Sequence, residues 1–147
     1  MWVDFGSGAG FPGIPIACAL AGKPGAMVHL VESVGKKANF LREVVRVIGL
    51  PAKIHQERAE KFGETCAETI QVVTARALSP LKTLCDQAFP LIAWGALGLF
   101  PKGQDVDAEL TEAAKYWRLQ ASLVPSVTNP ASAIVVVRGL KRLRKSN

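Results

Sequence analysis

Val3-Asp4-Phe5-Gly6-Ser7-Gly8-Ala9-Gly10-Phe11-Pro12-Gly13 reads as a short apolar strand, a glycine turn and a helix start, and 22 residues after Gly10 a second apolar run closes on Glu32. In such a turn the bare backbone lets a ligand lie against the helix N-terminus, and an acid ending the next strand can accept both hydroxyls of a ribose. The pattern predicts a nucleoside cofactor site.

Glycine spacing selects the cofactor. A dinucleotide fingerprint beginning at Gly6 would need a third glycine at position 11, which is Phe11 here. The run Asp4-x-Gly6-x-Gly8-x-Gly10 instead matches the loop of S-adenosylmethionine (SAM) methyltransferases, where the turn faces a zwitterionic methionine tail and no pyrophosphate. A glycine turn alone often serves only backbone geometry. The placement of Glu32 is what favours a ligand.

The chain has 147 residues, 49% of them hydrophobic, enough for one compact core and too few for two ordinary domains. The longest apolar stretch, Ala88 to Pro101, is shorter than the roughly 20 residues that span a bilayer, and no basic region followed by an apolar signal opens the chain. A cytoplasmic protein without a membrane partner is expected, with a monomer as the default. Cys18, Cys66 and Cys85 are 48 and 19 residues apart, which is neither a zinc spacing nor a disulfide framework, so they read as reduced small hydrophobes. His29 and His55 lack a second ligand at metal spacing, and no metal is expected.

Net charge is +6, but Arg138, Lys141, Arg142, Arg144 and Lys145 place five cations in the last ten residues and leave the rest at +1. This reads as a methyltransferase-type domain over 1–138 and a basic tail over 139–147, which suits either phosphate contacts on a nucleic acid or a solvated terminus.

Strand-length apolar runs alternate with helical periodicity. Strands are expected at Trp2–Phe5, Ala26–Val31, Ala52–His55, Gln71–Ala75, Ala96–Phe100, Leu119–Val124 and Ala133–Val137, and helices at Ile14–Ala21, Val34–Ile48, Pro80–Phe89 and Val106–Trp117. Near-continuous apolar strands such as Ile134-Val135-Val136-Val137 suit a parallel sheet covered on both faces. Pro125 to Ser132 leaves no room for a crossover helix, so the last two strands should pair antiparallel. The fold class is α/β: a Rossmann-like, class I SAM-dependent methyltransferase with a mostly parallel seven-stranded sheet, a final antiparallel hairpin and helices on both faces.

Ligands collect at the carboxyl ends of strands in an open α/β sheet. Arg58 follows the third strand, Arg76 closes the fourth and Lys102 follows the fifth, so three cations from distant parts of the sequence should meet on the rim that holds the glycine loop. After the fourth strand the chain reads Thr74-Ala75-Arg76-Ala77-Leu78, with neither a catalytic cysteine nor an Asn/Asp-Pro-Pro-Tyr/Phe clamp. Guanine N7 has an in-plane lone pair and no proton, so its alkylation needs alignment and no general base, with Arg or Lys reading the O6 acceptor.

The chain resembles the RsmG (GidB) family, the bacterial 16S ribosomal RNA guanine-N7 methyltransferases. The resemblance rests on Trp2 to Pro15, on Val31-Glu32-Ser33-Val34-Gly35-Lys36-Lys37 with Phe40-Leu41-Arg42-Glu43, on Arg58-Ala59-Glu60, on Thr74-Ala75-Arg76-Ala77 with Pro80-Leu81, and on Lys102-Gly103. It covers nearly the whole chain. It implies that Gly6, Ser7, Gly8 and Gly10, with Phe11 beside them, cradle SAM; that Asp4 supports the loop; that Glu32 holds the ribose; and that Ala59 and Glu60 border the adenine. Arg76, next to the cofactor, would face the target together with Arg58 and Lys102. The implied partner is 16S rRNA or the small ribosomal subunit, and the implied target is a guanine of the 530 loop. Family members carry a helical segment before the first strand that this sequence does not contain. The alternatives are a SAM- or RNA-binding remnant without turnover, and an NAD-linked oxidoreductase, which Phe11 and the lack of a proton-relay Tyr/Lys or His disfavour.

Overall fold

A computed structural model describes residues 1–144. In chain order the elements are β1 (Trp2–Phe5), α1 (Gly13–Leu20), β2 (Val28–Val31), α2 (Gly35–Ile48), β3 (Ala52–His55), α3 (Ala59–Thr65), β4 (Val72–Ala75), α4 (Leu81–Ala93), β5 (Leu97–Lys102), α5 (Val106–Ala114), β6 (Trp117–Pro125) and β7 (Ala133–Arg142). The seven strands lie in the order β3-β2-β1-β4-β5-β7-β6. β1 to β5 are parallel, and β7 inserts antiparallel to both β5 and β6. The order reverses between β1 and β4, the switch point where an open α/β sheet leaves a crevice at its carboxyl edge.

The core follows from two-sided burial. Val28 and Leu30 of β2 pack with Ala17 of α1 and Leu41 of α2, while Val3, Phe5 and Val31 join Phe62 of α3 and Leu81, Leu84 and Ala88 of α4 in a larger cluster. Alternate residues of each inner strand face opposite helix layers, so both must be apolar. His29 follows the same rule: it is 1% exposed, its Nδ1 lies 2.9 Å from His55 Nε2, and both rings pack on Phe62. Burial lowers the pKa of each ring. All three cysteines are free; Cys85 is buried, which pushes its thiol up to about 12, Cys66 is half-buried and Cys18 is exposed.

Four expectations need correction. Helix α3 was not anticipated, because seven residues interrupted by Gly63 carry too little periodicity. Helix α4 continues through Pro90 to Ala93, since the burial of Leu91 and Ile92 outweighs the backbone bond that proline forfeits. α5 ends at Ala114, and Trp117 begins β6, where it is 1% exposed, 5.0 Å from the Phe89 ring and beneath the Arg142 guanidinium. β7 runs to Arg142, so a boundary after residue 138 falls inside a strand whose Lys141 pairs with Arg118. Lys145, the last cation of the expected tail, lies outside the described residues.

Candidate active site

The β1–α1 turn is left-handed at Gly6, Gly8 and Gly10, with φ of +64°, +55° and +100°. Two of these glycines serve different ends. A Cβ on Gly10 would stand 2.5 Å from Ile14 Cγ1, so that glycine closes the turn onto α1. A Cβ on Gly8 would meet nothing nearer than Gly6 O at 3.7 Å, so protein packing does not explain its bareness. It opens on a cleft. Ser7 N–H donates to Val31 O at 3.1 Å, Ser7 Oγ–H to Asp4 O at 2.9 Å, and Gly10 N–H to Ser7 O at 2.7 Å, which holds the turn in shape.

Glu32, at the end of β2, faces this turn and is 6% exposed. Its Oε2 accepts Gly8 N–H at 2.8 Å and its Oε1 accepts Val34 N–H at 2.9 Å. One carboxylate thus joins the glycine turn to the entry of α2, and a lone pair remains on each oxygen for a diol. The cleft, about 450 Å³, continues past Ser33, Val34 and Lys37 to Arg58, Ala59 and Glu60, and is closed by Ala77, Leu78, Ser79, Thr83 and Gln87. Gln87 is 7% exposed and donates Nε2–H to Glu60 Oε1 at 2.7 Å, which holds the Glu60 carboxyl below its ordinary pKa. An open Gly8 backbone, an oriented carboxylate and a polar far end fit an adenosine-bearing cofactor.

Asp4 does not line the cleft. It is fully buried on β1, accepts Thr74 Oγ1–H at 2.8 Å through Oδ1, and sets Oδ2 against Gly13 at the start of α1. Burial raises its pKa to about 6, against the opposing pull of the Thr74 bond and the Gly13 amide. It braces β1, β4 and α1 beneath the turn. Ser7 and Gly10 are likewise buried behind the turn, and Phe11 is 57% exposed on its outer side.

The three cations expected to meet on the rim divide between two basins. Arg58 lines the cofactor cleft. Arg76 lines an adjoining basin of about 610 Å³, with Pro101 and Lys102 at the end of β5, Gly103 after it, Glu109 of α5, and Ser126, Thr128 and Asn129 before β7. Ala77, in the left-handed region at φ +52°, borders both, so the turn after β4 is the wall between them. Lys102 is held differently from the two arginines. Its side chain is 9% exposed, its Nζ donates to Ser79 O at 2.7 Å and pairs with Glu109 Oε2 at 2.8 Å, and the same Oε2 accepts Leu81 N–H at 2.6 Å. Lys102 therefore anchors the dividing turn to α5, and Glu109 caps α4.

Gln87 and Glu109 were not singled out from the sequence. Each acts through a partner 27 or 28 residues away, and only their acidic or amide character marks them in the linear chain.

A family model for rRNA small subunit methyltransferase G matches residues 1–135. The protein named Ribosomal RNA small subunit methyltransferase G from Bradyrhizobium sp. (strain ORS 278) is 51% identical over 141 residues, covering 96% of this chain and 64% of that protein. The protein of the same name from Caulobacter vibrioides (strain NA1000 / CB15N) is 45% identical over 143 residues, covering 97% and 64%. The chain thus spans less than two thirds of the length of these relatives. Among solved structures, an rRNA methylase from Streptococcus thermophilus matches with a TM-score of 0.65 at 15% identity, covering 95% of this chain and 86% of that one. A variant of MtNAS in complex with S-adenosylmethionine matches at 0.66 and 17%, covering 94% and 54%. These likenesses show the class I methyltransferase fold, and with the family model and the identities above they place the sequence: the chain belongs to the rRNA small subunit methyltransferase G family.

Proposed function

We propose that the protein transfers the methyl group of SAM to N7 of a guanine in the 530 loop of 16S ribosomal RNA. The observation that carries this reading is the pair of basins on either side of the Arg76–Ser79 turn, one built for a nucleoside and one lined by Arg76 at the carboxyl end of β4. The names of the Bradyrhizobium and Caulobacter relatives support rRNA as the substrate, and such a substrate implies a cytoplasmic protein. Bound SAM supplies an electrophilic methyl on a sulfonium. Glu32 would accept the ribose hydroxyls, the Gly6–Gly8 backbone would face the methionine tail, and Ala59, Glu60 and Gln87 would border the adenine. Arg76 would meet guanine O6, with Arg58 and the Lys102-anchored turn keeping the two ligands in line. Because N7 carries no proton, alignment is the protein's task and no side chain is asked to act as a base.

Incubation of unmodified small subunits and of deproteinised 16S rRNA with SAM, followed by mass-spectrometric mapping, tests the assignment. One 7-methylguanosine in the 530 loop is expected. Methylation at another atom or position would overturn it, and SAM binding with no transfer to either RNA would leave the remnant reading in its place.

A further inference from the structure

The basin beside the cofactor cleft contains an acceptor that the roles above leave unused. Glu109 is partly exposed there, with 26% of its side chain accessible. Its Oε2 is committed to Leu81 N–H and Lys102 Nζ, whereas its Oε1 makes no protein hydrogen bond among the described residues. Two bonds through one oxygen fix the carboxylate plane. The other oxygen is then a pre-oriented anion on the wall of a basin whose opposite character, a guanidinium, comes from Arg76.

Guanine displays O6, an acceptor, next to N7, and beyond it the N1–H and 2-amino donors. Adenine reverses both positions, with an amine at C6 and a lone pair at N1. A basin offering a donor and a carboxylate is complementary to guanine at both positions and mismatched to adenine at both. Sites built to receive a hydrogen bond reject analogues that cannot supply it, because the buried partner is left unpaired.

We propose that Glu109 Oε1 reads the N1–H and 2-amino edge of the target guanine while Arg76 meets O6, making Glu109 a specificity-determining residue. This rests on the guanine-methylating function proposed above and deepens it. The Lys102 pair supports the same role, since it turns Glu109 toward the basin and balances its charge when no base is bound.

The test compares methyl transfer to an RNA hairpin carrying guanine or inosine at the modified position, inosine lacking only the 2-amino group. The parent chain should favour guanine in kcat/KM by about tenfold or more, the expected loss of one hydrogen bond to a charged acceptor. Glu109→Gln keeps an oxygen for Leu81 N–H and Lys102 but turns its NH2 toward the guanine donors. It should bring the guanine-to-inosine ratio to about one while calorimetric SAM affinity stays within about twofold. If Glu109→Gln lowers both rates and leaves the ratio intact, Glu109 only holds the turn and the proposal fails. It fails equally if the parent treats the two bases alike, a result that needs no variant to fold. Glu109→Asp, which retains the charge at shorter reach, should give an intermediate ratio. A parent that binds SAM but methylates neither the hairpins nor small subunits nor 16S rRNA defeats instead the function on which the inference rests.

Discussion

At the residue scale, Glu32 and Asp4 show two uses of a buried carboxylate, one facing the cleft and one beneath the turn that shapes it. Glu32 accepts two backbone amides, whereas Asp4 is surrounded by protein and its pKa is raised to about 6. A carboxyl whose folded pKa exceeds its unfolded value of 3.8 stabilises the fold fully below pH 4, and that contribution is lost as pH rises to about 6. The amount is about 3 kcal/mol. The neutral-leaning His29 and His55 act in the opposite sense, favouring the fold above their ordinary pKa of 6.5. Comparing urea unfolding of the parent and Asp4→Asn between pH 4 and 7 isolates the aspartate: the stability gap between the two should change by a few kcal/mol across that window, and a constant gap would refute the raised pKa. Glu32→Ala should weaken SAM at least tenfold by calorimetry, the value of charged hydrogen bonds to a diol. In Gly8→Val SAM binding should be lost, because a branched side chain is strained at φ +55° and enters the ligand's place, while the fold should survive because the strain is confined to the turn and the space beside Gly8 is open, as an unchanged far-UV circular dichroism spectrum would check.

At the scale of elements, the parts legible in the sequence were those whose signal is local. β1 and β3 lie at their expected bounds, the glycine turn and Glu32 share the cleft, and the last two strands pair antiparallel as the short Pro125–Ser132 connection required. What escaped notice depends on partners distant in sequence. Trp117 extends a helical pattern on paper, yet its buried place between Phe89 and Arg142 makes it the first residue of β6. Lys102 reads as a rim cation until Glu109 and Ser79 are seen to bind it. Arg142 reads in the sequence as part of a basic tail, phosphate-binding or solvated, but it stacks 4.6 Å above the Trp117 ring and pairs with Asp86 at 3.3 Å. Arg142→Ala should therefore cost about 1 kcal/mol of stability in denaturant melts. Lys141→Ala, a change at an exposed position, should cost little. Equal losses would mean that the stack contributes nothing.

At the scale of the whole molecule, the sheet separates the positive charges. β7 leaves the rim at Ala133, paired with Lys102, and runs antiparallel to β5, so Arg142 lies about 30 Å along the strand from the two basins. Lys141 and Arg144 cannot touch a base held beside Arg76. Any RNA contact they make is therefore with phosphates away from that base, and its contribution would be read in affinity and its salt dependence. Neutralising Lys141 and Arg144 together should weaken RNA binding and make the plot of log affinity against log salt shallower, with the single-turnover rate at saturating RNA unchanged. Arg76→Ala should do the reverse. Arg76 closes β4 on the wall between the cofactor cleft and the second basin, so its loss should leave SAM affinity nearly intact while single-turnover methylation falls by about a hundredfold through misalignment. The parent's rate should also show no titration near neutral pH. His29 on β2 and His55 on β3 are packed on Phe62 with their pKa lowered by burial, Asp4 at about 6 lies buried beneath the turn, all three are outside both basins, and N7 gives up no proton before attack. A chemical step governed by a clear general-base pKa would remove the alignment mechanism, and parental turnover in Arg76→Ala would remove that residue from it.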